Sequence, residues 1–282
     1  MLVRVKKAVI PAAGLGTRML PFTKSIPKEM LPVGNKPAIH HIVEEIVKTG
    51  INDILIITAR GKRAIEDYFD ENLELELYLR EREKLDKYYN LIKDIEVDVY
   101  YIRQKKPLGL GDAIRYAEKH VNDEPFLVCL GDDIIVSDIP ASKQIIELYE
   151  KFNCQVLGLE IVDWKEVGKY GIIKGSKISD DIYQIVDLIE KPSPERAPSN
   201  IAVIGRYVLN PEVFEYIRKV KPDKKGEIQL TDALALMIRD GIGIKGKITK
   251  GKRYDVGTFE GWLKANMELG IKDEAQDKSA KQ

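Results

Sequence analysis

The sequence predicts an α/β protein with a mixed, mainly parallel central sheet and helices on both faces. In residues 1–135, short apolar runs typical of buried strands alternate with segments of helical periodicity. Three glycine-containing turns, AAGLG, KPLGLGD and LGDD, follow predicted strands. Open parallel sheets bind ligands at the carboxyl ends of their strands, so these turns also indicate where a site would lie.

The elements of the first half follow in order from local patterns. The apolar run KKAVIP predicts a strand at 6–11. Residues 37–50 predict a helix, because Pro37 suits its first turn and Gly50 its end. The further predicted elements are a strand at 53–58, a helix at 61–70, a strand at 95–104, a helix at 109–121 and a strand at 124–133. This alternation predicts a Rossmann-like sheet.

The second half contains strands that lie close together in sequence, with few helices between them. The predicted strands are CQVLGLEIV, YGIIKG, IYQIVDLIE, NIAVIGRYVL and IGIKGKITK, and the predicted helices are 211–220, 227–241 and 258–270. No glycine- or serine-rich linker interrupts the chain. We therefore expect a single domain at 1–272, in which the halves 1–135 and 136–272 share one sheet. Residues 273–282 are predicted to fray, since alanine is their only apolar residue type.

The charged segment 71–94 carries Leu and Tyr at roughly helical spacing. It predicts either a solvated helical insertion or a subunit contact.

Composition excludes several classes of protein. The 282 residues contain 45 Lys+Arg and 45 Asp+Glu, and this zero net charge argues against a nucleic-acid-binding protein. No run approaches the roughly 18 apolar residues of a membrane span, so we expect a cytoplasmic protein without a membrane partner. The two cysteines and three histidines show no metal-binding or nucleophilic arrangement, and structural roles are expected for them.

The loop GLGTR at 14–18 predicts phosphate binding. Glycine turns let backbone N–H groups approach phosphate oxygens, and Arg18 adds a planar cationic group. It is not a Walker A loop, because no GK[ST] follows, and Leu20 occupies the third glycine position of a dinucleotide fingerprint. Lys24 and Lys28 lie close behind among prolines that stiffen the loop.

Two carboxylates at turns are candidate Mg²⁺ ligands. Asp132 follows a predicted strand, and Asp255 lies in a strand-to-helix turn, YDVGT. Magnesium commonly takes one or two protein carboxylates together with substrate phosphates. Asp132 could equally cap a helix, and the spacing does not show that the two aspartates meet. Gly171 alone also fits a plain hairpin turn, and the pair Glu190-Lys191 alone does not indicate a function.

Together these segments resemble the sugar nucleotidyltransferases, and among them the prokaryotic-type UTP–glucose-1-phosphate uridylyltransferases. The resemblance extends from residue 6 to about 270 and is carried by PAAGLGTRMLPFTKSIPKEMLPV, KPLGLGDAI, LGDD, YGII, EKP, APSNIAVIGRYVL, GEIQLTDAL and YDVGT. LGDD departs from the LPD-type turn of many uridylyl relatives, which leaves the role of Asp133 open. The fold implied is the nucleotide-diphospho-sugar transferase type.

The resemblance also implies the role of each site residue. A nucleotide-binding half, 1–135, would precede a sugar-phosphate-binding half, 136–272. The implied nucleotide-binding residues are Ala12, Ala13, Gly14, Gly16, Thr17, Arg18, Glu29, Gln104 and Gly109. The implied sugar-phosphate-binding residues are Gly171, Glu190, Lys191 and Glu227. The implied catalytic residues are Arg18, Lys28, Asp132, Lys191 and Asp255, with Asp132 and Asp255 as the Mg²⁺ ligands.

The activity implied is transfer of a uridylyl group from UTP to glucose 1-phosphate, with Mg²⁺ as the cofactor and a homo-oligomer, dimer or tetramer, as the assembly. The alternative within the family is a glucose-1-phosphate thymidylyltransferase that uses dTTP. The alternative from another class is a nucleotide- or sugar-sensing module that has lost catalysis. Such a relative would normally have lost one of the charged residues, and all five are present here: Arg18, Lys28, Asp132, Lys191 and Asp255. A Rossmann oxidoreductase is also disfavoured, because the loop at 14–18 lacks the glycine fingerprint of dinucleotide-binding proteins.

Overall fold

The computed structural model describes residues 4–92 and 95–279. Its strands are, in chain order, β1 (Lys7–Pro11), β2 (Pro32–Val33), β3 (Lys36–Pro37), β4 (Asp53–Thr58), β5 (Asp98–Arg103), β6 (Phe126–Cys129), β7 (Asp133–Val136), β8 (Gln155–Ile161), β9 (Gly171–Lys177), β10 (Ile182–Glu190), β11 (Ile201–Leu209), β12 (Ile244–Ile248) and β13 (Lys252–Asp255). Its α-helices are α1 (Ala38–Val47), α2 (Arg63–Phe69), α3 (Leu73–Glu81), α4 (Leu85–Ile92), α5 (Leu110–Arg115), α6 (Glu118–Val121), α7 (Ala141–Phe152), α8 (Val213–Lys219), α9 (Leu230–Arg239) and α10 (Phe259–Ser279).

The central sheet has the strand order β5-β4-β1-β6-β11-β8-β12-β10-β9. Strands β5, β4, β1 and β6 pair in parallel, and β12 pairs in parallel with β8. Strand β11 is antiparallel to β6 and β8, and β10 is antiparallel to β12 and β9. Among these described strands, β11 and β10 therefore run against the others, and the predicted mixed, mainly parallel α/β fold is confirmed.

Helices cover both faces of this sheet, which explains the unbroken apolar strands in its centre. In β1, Ala8, Val9 and Ile10 are fully buried, although they point alternately to opposite faces. Val9 packs in a core with Phe126 and Phe214, whose rings stack at a centroid distance of 5.4 Å. Ala8 and Ile10 pack in a second core with α1 and α7. A strand buried on both sides needs apolar residues throughout, as the sequence has here.

Several elements differ in detail from their prediction. The predicted helix 109–121 is divided into α5 and α6, and the predicted strand 124–133 ends at Cys129 before a turn. Residues 134–152, to which the sequence patterns assigned no element, contain most of β7 and all of α7. The charged segment 71–94 forms α3 and α4, with residues 93–94 outside the described part of the chain.

The last helix, α10, runs to Ser279 and so includes most of the segment predicted to fray. Residues 280–282 lie outside the described range, and fraying of the end stays a prediction. In the described residues no helix has both the length and the apolar character needed to span a membrane.

A buried ion pair joins the central strand β11 to two helices. Arg206 on β11 is fully buried and donates to Glu45 on α1 through Nε at 3.0 Å and Nη2 at 2.6 Å. Glu45 also accepts from the backbone N–H of Ser142 at 2.9 Å, in the first turn of α7. Burial alone would raise the pKa of Glu45, but Arg206 and Ser142 outweigh burial and lower it. The pair therefore ties α1, α7 and β11 together.

Substitution of Glu45 by alanine is expected to destabilise the protein by about 3–5 kcal/mol, because it leaves the buried Arg206 guanidinium without its counter-charge. The matched control is Glu118→Ala, which removes a partly exposed carboxylate paired with the exposed Arg218 at 2.8 Å. That control should cost no more than about 1 kcal/mol. Equilibrium urea unfolding measures both values. Equal losses in the two variants would contradict the role assigned to the buried pair.

Candidate active site

Two adjoining cavities open at the carboxyl ends of β1, β5 and β6. The first has a volume of about 520 Å³ and the second about 450 Å³. Both are lined by Gly14, Gly16, Thr17, Lys28, Leu110, Leu130 and Glu227. The cavities therefore share the glycine loop as a common wall, as the position of the turns predicted.

The glycine loop leaves β1 and is fixed at both ends. The Ala12 N–H donates to the carbonyl of Ile57 at 2.9 Å, and Ala12 and Ala13 are buried. Gly16 has a φ of 67°, and an added Cβ would lie 3.0 Å from Cγ2 of Thr23. The Thr23 hydroxyl donates to the Gly16 carbonyl at 2.8 Å and holds this turn. A side chain at position 16 would therefore strain the backbone and displace Thr23.

Lys28 and Asp132 form a close ion pair at the shared wall. Nζ of Lys28 lies 2.5 Å from Oδ2 of Asp132. It also lies close to the glycine loop, 4.0 Å from where a Cβ on Gly14 would be. Burial alone would lower the pKa of Lys28, but Asp132 and Glu29 outweigh burial and raise it. Burial would likewise raise the pKa of Asp132, yet Lys28 lowers it. Both groups are therefore charged and point into the cavity.

Asp132 and Asp255 converge at Gly257. A Cβ on Gly257 would collide with Oδ2 of Asp132 and would lie 3.1 Å from Oδ1 of Asp255 and from Nη2 of Arg18. Burial raises the pKa of Asp255, and the negative charge of Asp132 raises it further. Two carboxylates that repel each other across a glycine without a side chain are oxygen donors of the kind that could hold a divalent cation.

Two protein carboxylates are a number of ligands that suits Mg²⁺. In the described part of the chain, no group of three or more His, Cys, Asp or Glu side chains is placed to hold a metal ion. Magnesium needs fewer protein ligands than that, because it keeps waters and binds substrate phosphates. Nη1 of Arg18 lies 4.0 Å from Oδ2 of Asp255, so a cationic group also borders the pair.

Asp133 points away from the cavity and fixes the turn. Its Oδ2 accepts from the Gly205 N–H at 3.1 Å, and its Oδ1 accepts from Nη1 of Arg253 at 3.1 Å. Nε of Arg253 also donates to Glu160 at 2.5 Å. The role that the sequence left open is therefore structural: Asp133 anchors the turn while Asp132 faces the cavity.

Gln104 and Gly109 lie together at the far end of the first cavity. Gly109 has a φ of 94°, and a Cβ there would lie 2.8 Å from the carbonyl oxygen of Ile228. The Ile228 N–H donates to the Leu108 carbonyl at 2.7 Å, and the Gly111 N–H donates to the Ile228 carbonyl at 2.8 Å. The backbone approach requires glycine at position 109 and pins this loop to the segment that carries Glu227.

Glu29 lies beneath the loop and lines neither cavity. Its carboxylate is fully buried and accepts from Nζ of Lys62 at 2.8 and 3.0 Å. The structure thus places Glu29 where it supports Lys28 from below, and direct contact with a nucleotide stays a prediction. Lys62 was not selected from the sequence, where it resembles any exposed lysine of a charged segment.

The second cavity contains the residues predicted for a sugar phosphate. Gly171, Glu190, Lys191 and Glu227 line it together with Arg18. Oε2 of Glu190 accepts from the hydroxyl of Thr231 at 2.7 Å, and Oε1 of Glu190 lies 2.7 Å from Nζ of Lys191. Lys191 has a φ of 45°, which is uncommon for a residue with a side chain and frequent at binding sites.

The structure also adds residues to the second cavity that the sequence patterns did not single out. Among these are Lys169, Gln229 and Thr231. A Cβ on Gly171 would lie 3.2 Å from Oγ1 of Thr231, so the strand approaches α9 closely at this point. Thr231 lies within the motif GEIQLTDAL, which was the available signal, but its contact with Glu190 depends on α9 packing against β10.

Comparisons with known proteins identify relatives of this chain. A family model described as Nucleotidyl transferase matches residues 7–271. UTP–glucose-1-phosphate uridylyltransferase YngB of Bacillus subtilis (strain 168) is 51% identical over 270 residues, covering 95% of this chain and 90% of that protein. UTP–glucose-1-phosphate uridylyltransferase 2 of Staphylococcus saprophyticus is 46% identical over 273 residues, covering 96% and 94%. The crystal structure of a UDP-glucose pyrophosphorylase complexed with UDP-glucose matches with a TM-score of 0.85 at 44% identity, covering 95% and 99%.

Proposed function

The chain belongs to the nucleotidyl transferase family, and we propose that it transfers a uridylyl group from UTP to glucose 1-phosphate, giving UDP-glucose and pyrophosphate. The observation that carries the proposal is the pair of adjoining cavities with the cationic Lys28 at their common wall and Arg18 and Lys191 lining the second cavity. One cavity suits a nucleotide and the other a sugar phosphate. The names of relatives 46–51% identical to this chain support these two substrates.

The proposed reaction is a direct in-line displacement. A phosphate oxygen of glucose 1-phosphate forms a bond to the α-phosphorus of UTP, and the bond from that phosphorus to the bridging oxygen of pyrophosphate breaks. The attacking oxygen is already an anion, so no general base is required. The C1–O bond of the sugar stays intact, and its anomeric configuration is retained. Catalysis then depends on positioning and on stabilisation of charge on the phosphates.

The charged side chains have distinct parts in this scheme. Arg18 and Lys28, beside the glycine loop, would bind the triphosphate, with loop N–H groups completing the contacts. Lys191 would bind the phosphate of the sugar, and Glu190 would accept hydrogen bonds from sugar hydroxyls. Asp132 and Asp255 would hold Mg²⁺, which supplies neutralisation of negative charge on the phosphates.

Thymidylyl transfer from dTTP is the alternative, and the base cavity alone does not separate the two. Uracil and thymine differ by one methyl group, and a pocket distinguishes one methyl by about 1–3 kcal/mol. The relatives named above favour UTP.

The proposed function is tested by measuring pyrophosphate release with glucose 1-phosphate and Mg²⁺ in parallel reactions with UTP, dTTP, CTP, GTP and ATP. The highest kcat/KM is expected with UTP. A higher value with dTTP would replace the uridylyl assignment by the thymidylyl one. No reaction with any nucleotide would support the binding-module alternative and overturn the proposal.

Replacement of Asp132 by asparagine tests the proposed Mg²⁺ site. We expect kcat to fall about 100-fold or more, as for loss of a pre-organised charge-stabilising arrangement, and half-saturation to require more Mg²⁺. The exposed Asp138 provides the matched control, Asp138→Asn, which should leave both quantities unchanged. Near-normal turnover and an unchanged Mg²⁺ dependence in Asp132→Asn would remove this residue from the metal site.

Replacement of Lys191 by alanine tests the assignment of the second cavity. The KM for glucose 1-phosphate is expected to rise about 10- to 100-fold, since a hydrogen bond to a charged group contributes about 1.5–3 kcal/mol. The KM for UTP should change much less. The exposed Lys165 gives the control variant, Lys165→Ala. Equal increases in both KM values would place Lys191 somewhere other than on the sugar phosphate.

A further inference from the structure

The amide of Gln104 has a fixed orientation at the end of the first cavity. Its Nε2 donates to Oδ2 of Asp112 at 2.8 Å and to the carbonyl oxygen of Gly109 at 3.3 Å. A carboxylate and a backbone carbonyl only accept hydrogen bonds, so both neighbours require the NH₂ side of the amide. The amide oxygen, Oε1, is therefore the atom that remains for a ligand in the cavity that Gln104 lines.

Asp112 is itself held firmly. It lies in the first turn of α5 and is 1% exposed. Its second oxygen, Oδ1, accepts from Nη2 of Arg115 at 2.7 Å, one turn further along the helix. Each carboxylate oxygen thus has its own donor: Arg115 on one side and Gln104 on the other. The carboxylate cannot rotate without breaking one of these hydrogen bonds.

We propose that Asp112 is a positioning residue that sets the base selectivity of the enzyme by making Gln104 present an acceptor to the nucleobase. The proposal rests on the proposed function, in which the first cavity holds the base of UTP. Uracil has an N–H donor at N3 between two carbonyl groups, and this donor matches Oε1 of Gln104. Cytosine has an unprotonated acceptor at N3, which would face Oε1 with like polarity.

The hydrogen bonds of Asp112 and Gln104 do not distinguish every pair of pyrimidine nucleotides. Thymine presents the same donor at N3 as uracil, so Asp112 leaves dTTP and UTP equivalent along this edge of the base. Cytosine is the pyrimidine against which the network acts. The comparison of UTP with CTP therefore isolates the effect of Asp112, and the comparison with dTTP does not.

The variant Asp112→Asn reverses the polarity with little change of shape. Arg115 still donates to Oδ1 of the new side chain, so Nδ2 must face Gln104. The amide of Gln104 then accepts from Nδ2 through Oε1, gives up its longer contact of 3.3 Å with the Gly109 carbonyl, and turns its NH₂ group toward the base. We expect the ratio of kcat/KM for UTP to that for CTP to fall about 10- to 100-fold, as expected when a hydrogen-bonding site meets the wrong partner.

Binding provides a readout that does not depend on turnover. Calorimetric titration with UMP and CMP should show the same shift, weaker for UMP and tighter for CMP. Thermal unfolding of Asp112→Asn confirms that the variant is folded. If it is not, Gln104→Leu replaces it, and in that variant the preference for the uracil nucleotide should be lost. A preference that persists in Gln104→Leu would overturn the proposal.

Two control variants separate polarity from packing. Arg115→Ala breaks the same network but leaves a carboxylate next to Gln104, so its UTP-to-CTP ratio should stay that of the wild type. Asp123→Asn makes the same chemical change at an exposed position and should have no effect. If Arg115→Ala shifts the ratio as much as Asp112→Asn does, packing sets the selectivity and the proposal is wrong.

The outcomes also distinguish this proposal from the proposed function. A wild-type protein that uses UTP, together with an Asp112→Asn variant of unchanged UTP-to-CTP and UMP-to-CMP ratios, would overturn only the role of Asp112. A wild-type protein that turns over no nucleotide would overturn the proposed function. The ratio of UMP to CMP binding would then still decide whether Asp112 controls recognition of the base.

Discussion

The turn that carries Asp132 depends on an arginine that lies wholly inside the protein. Nη2 of Arg206 donates to the backbone carbonyl of Asp133 at 2.8 Å and to Glu45 at 2.6 Å. Desolvation of such a pair offsets most of its attraction, so its net contribution to stability is small. Its geometry is nevertheless costly to break. Arg206 therefore fixes Asp133 from below, and the preceding residue, Asp132, is left to face the cavity.

From this turn, charges of alternating sign extend through the site. Lys62 pairs with the buried Glu29, Lys28 pairs with Asp132, and Arg18 approaches Asp255. Each cation is already positioned by an anion before a ligand arrives, so little reorganisation is needed when phosphates bind. The proximity of Asp255 to Asp132 is unfavourable in this arrangement: burial raises the pKa of Asp255, and the negative charge of Asp132 raises it further. A divalent cation bound between the two carboxylates, as proposed above, would remove that repulsion.

The sequence predicts the elements of this fold better than it predicts their contacts. Strand β4 has its predicted bounds, because a fully buried strand is an unbroken apolar run that ends at turns. The sequence of α7 also has helical spacing, with buried residues on one face. The meeting of Asp132 with Asp255 could not be predicted, because it depends on the pairing of β7 with β13, which are far apart along the chain. The roles of Asp133 and Lys62 likewise depend on partners brought together only by folding.

The two cavities are connected through backbone as well as through shared side chains. The hydrogen bonds of Ile228 to Leu108 and Gly111 join the loop at 108–111, which lies next to Gln104, to the segment that carries Glu227. Gly109 and Gly111 allow this approach, since a Cβ on either would lie within 2.9 Å of the Ile228 carbonyl oxygen. A shift of the loop at 108–111 must therefore move the wall of the second cavity as well. The proposed in-line transfer would require the two substrates to be aligned with each other, and this shared backbone contact fixes the position of one cavity relative to the other.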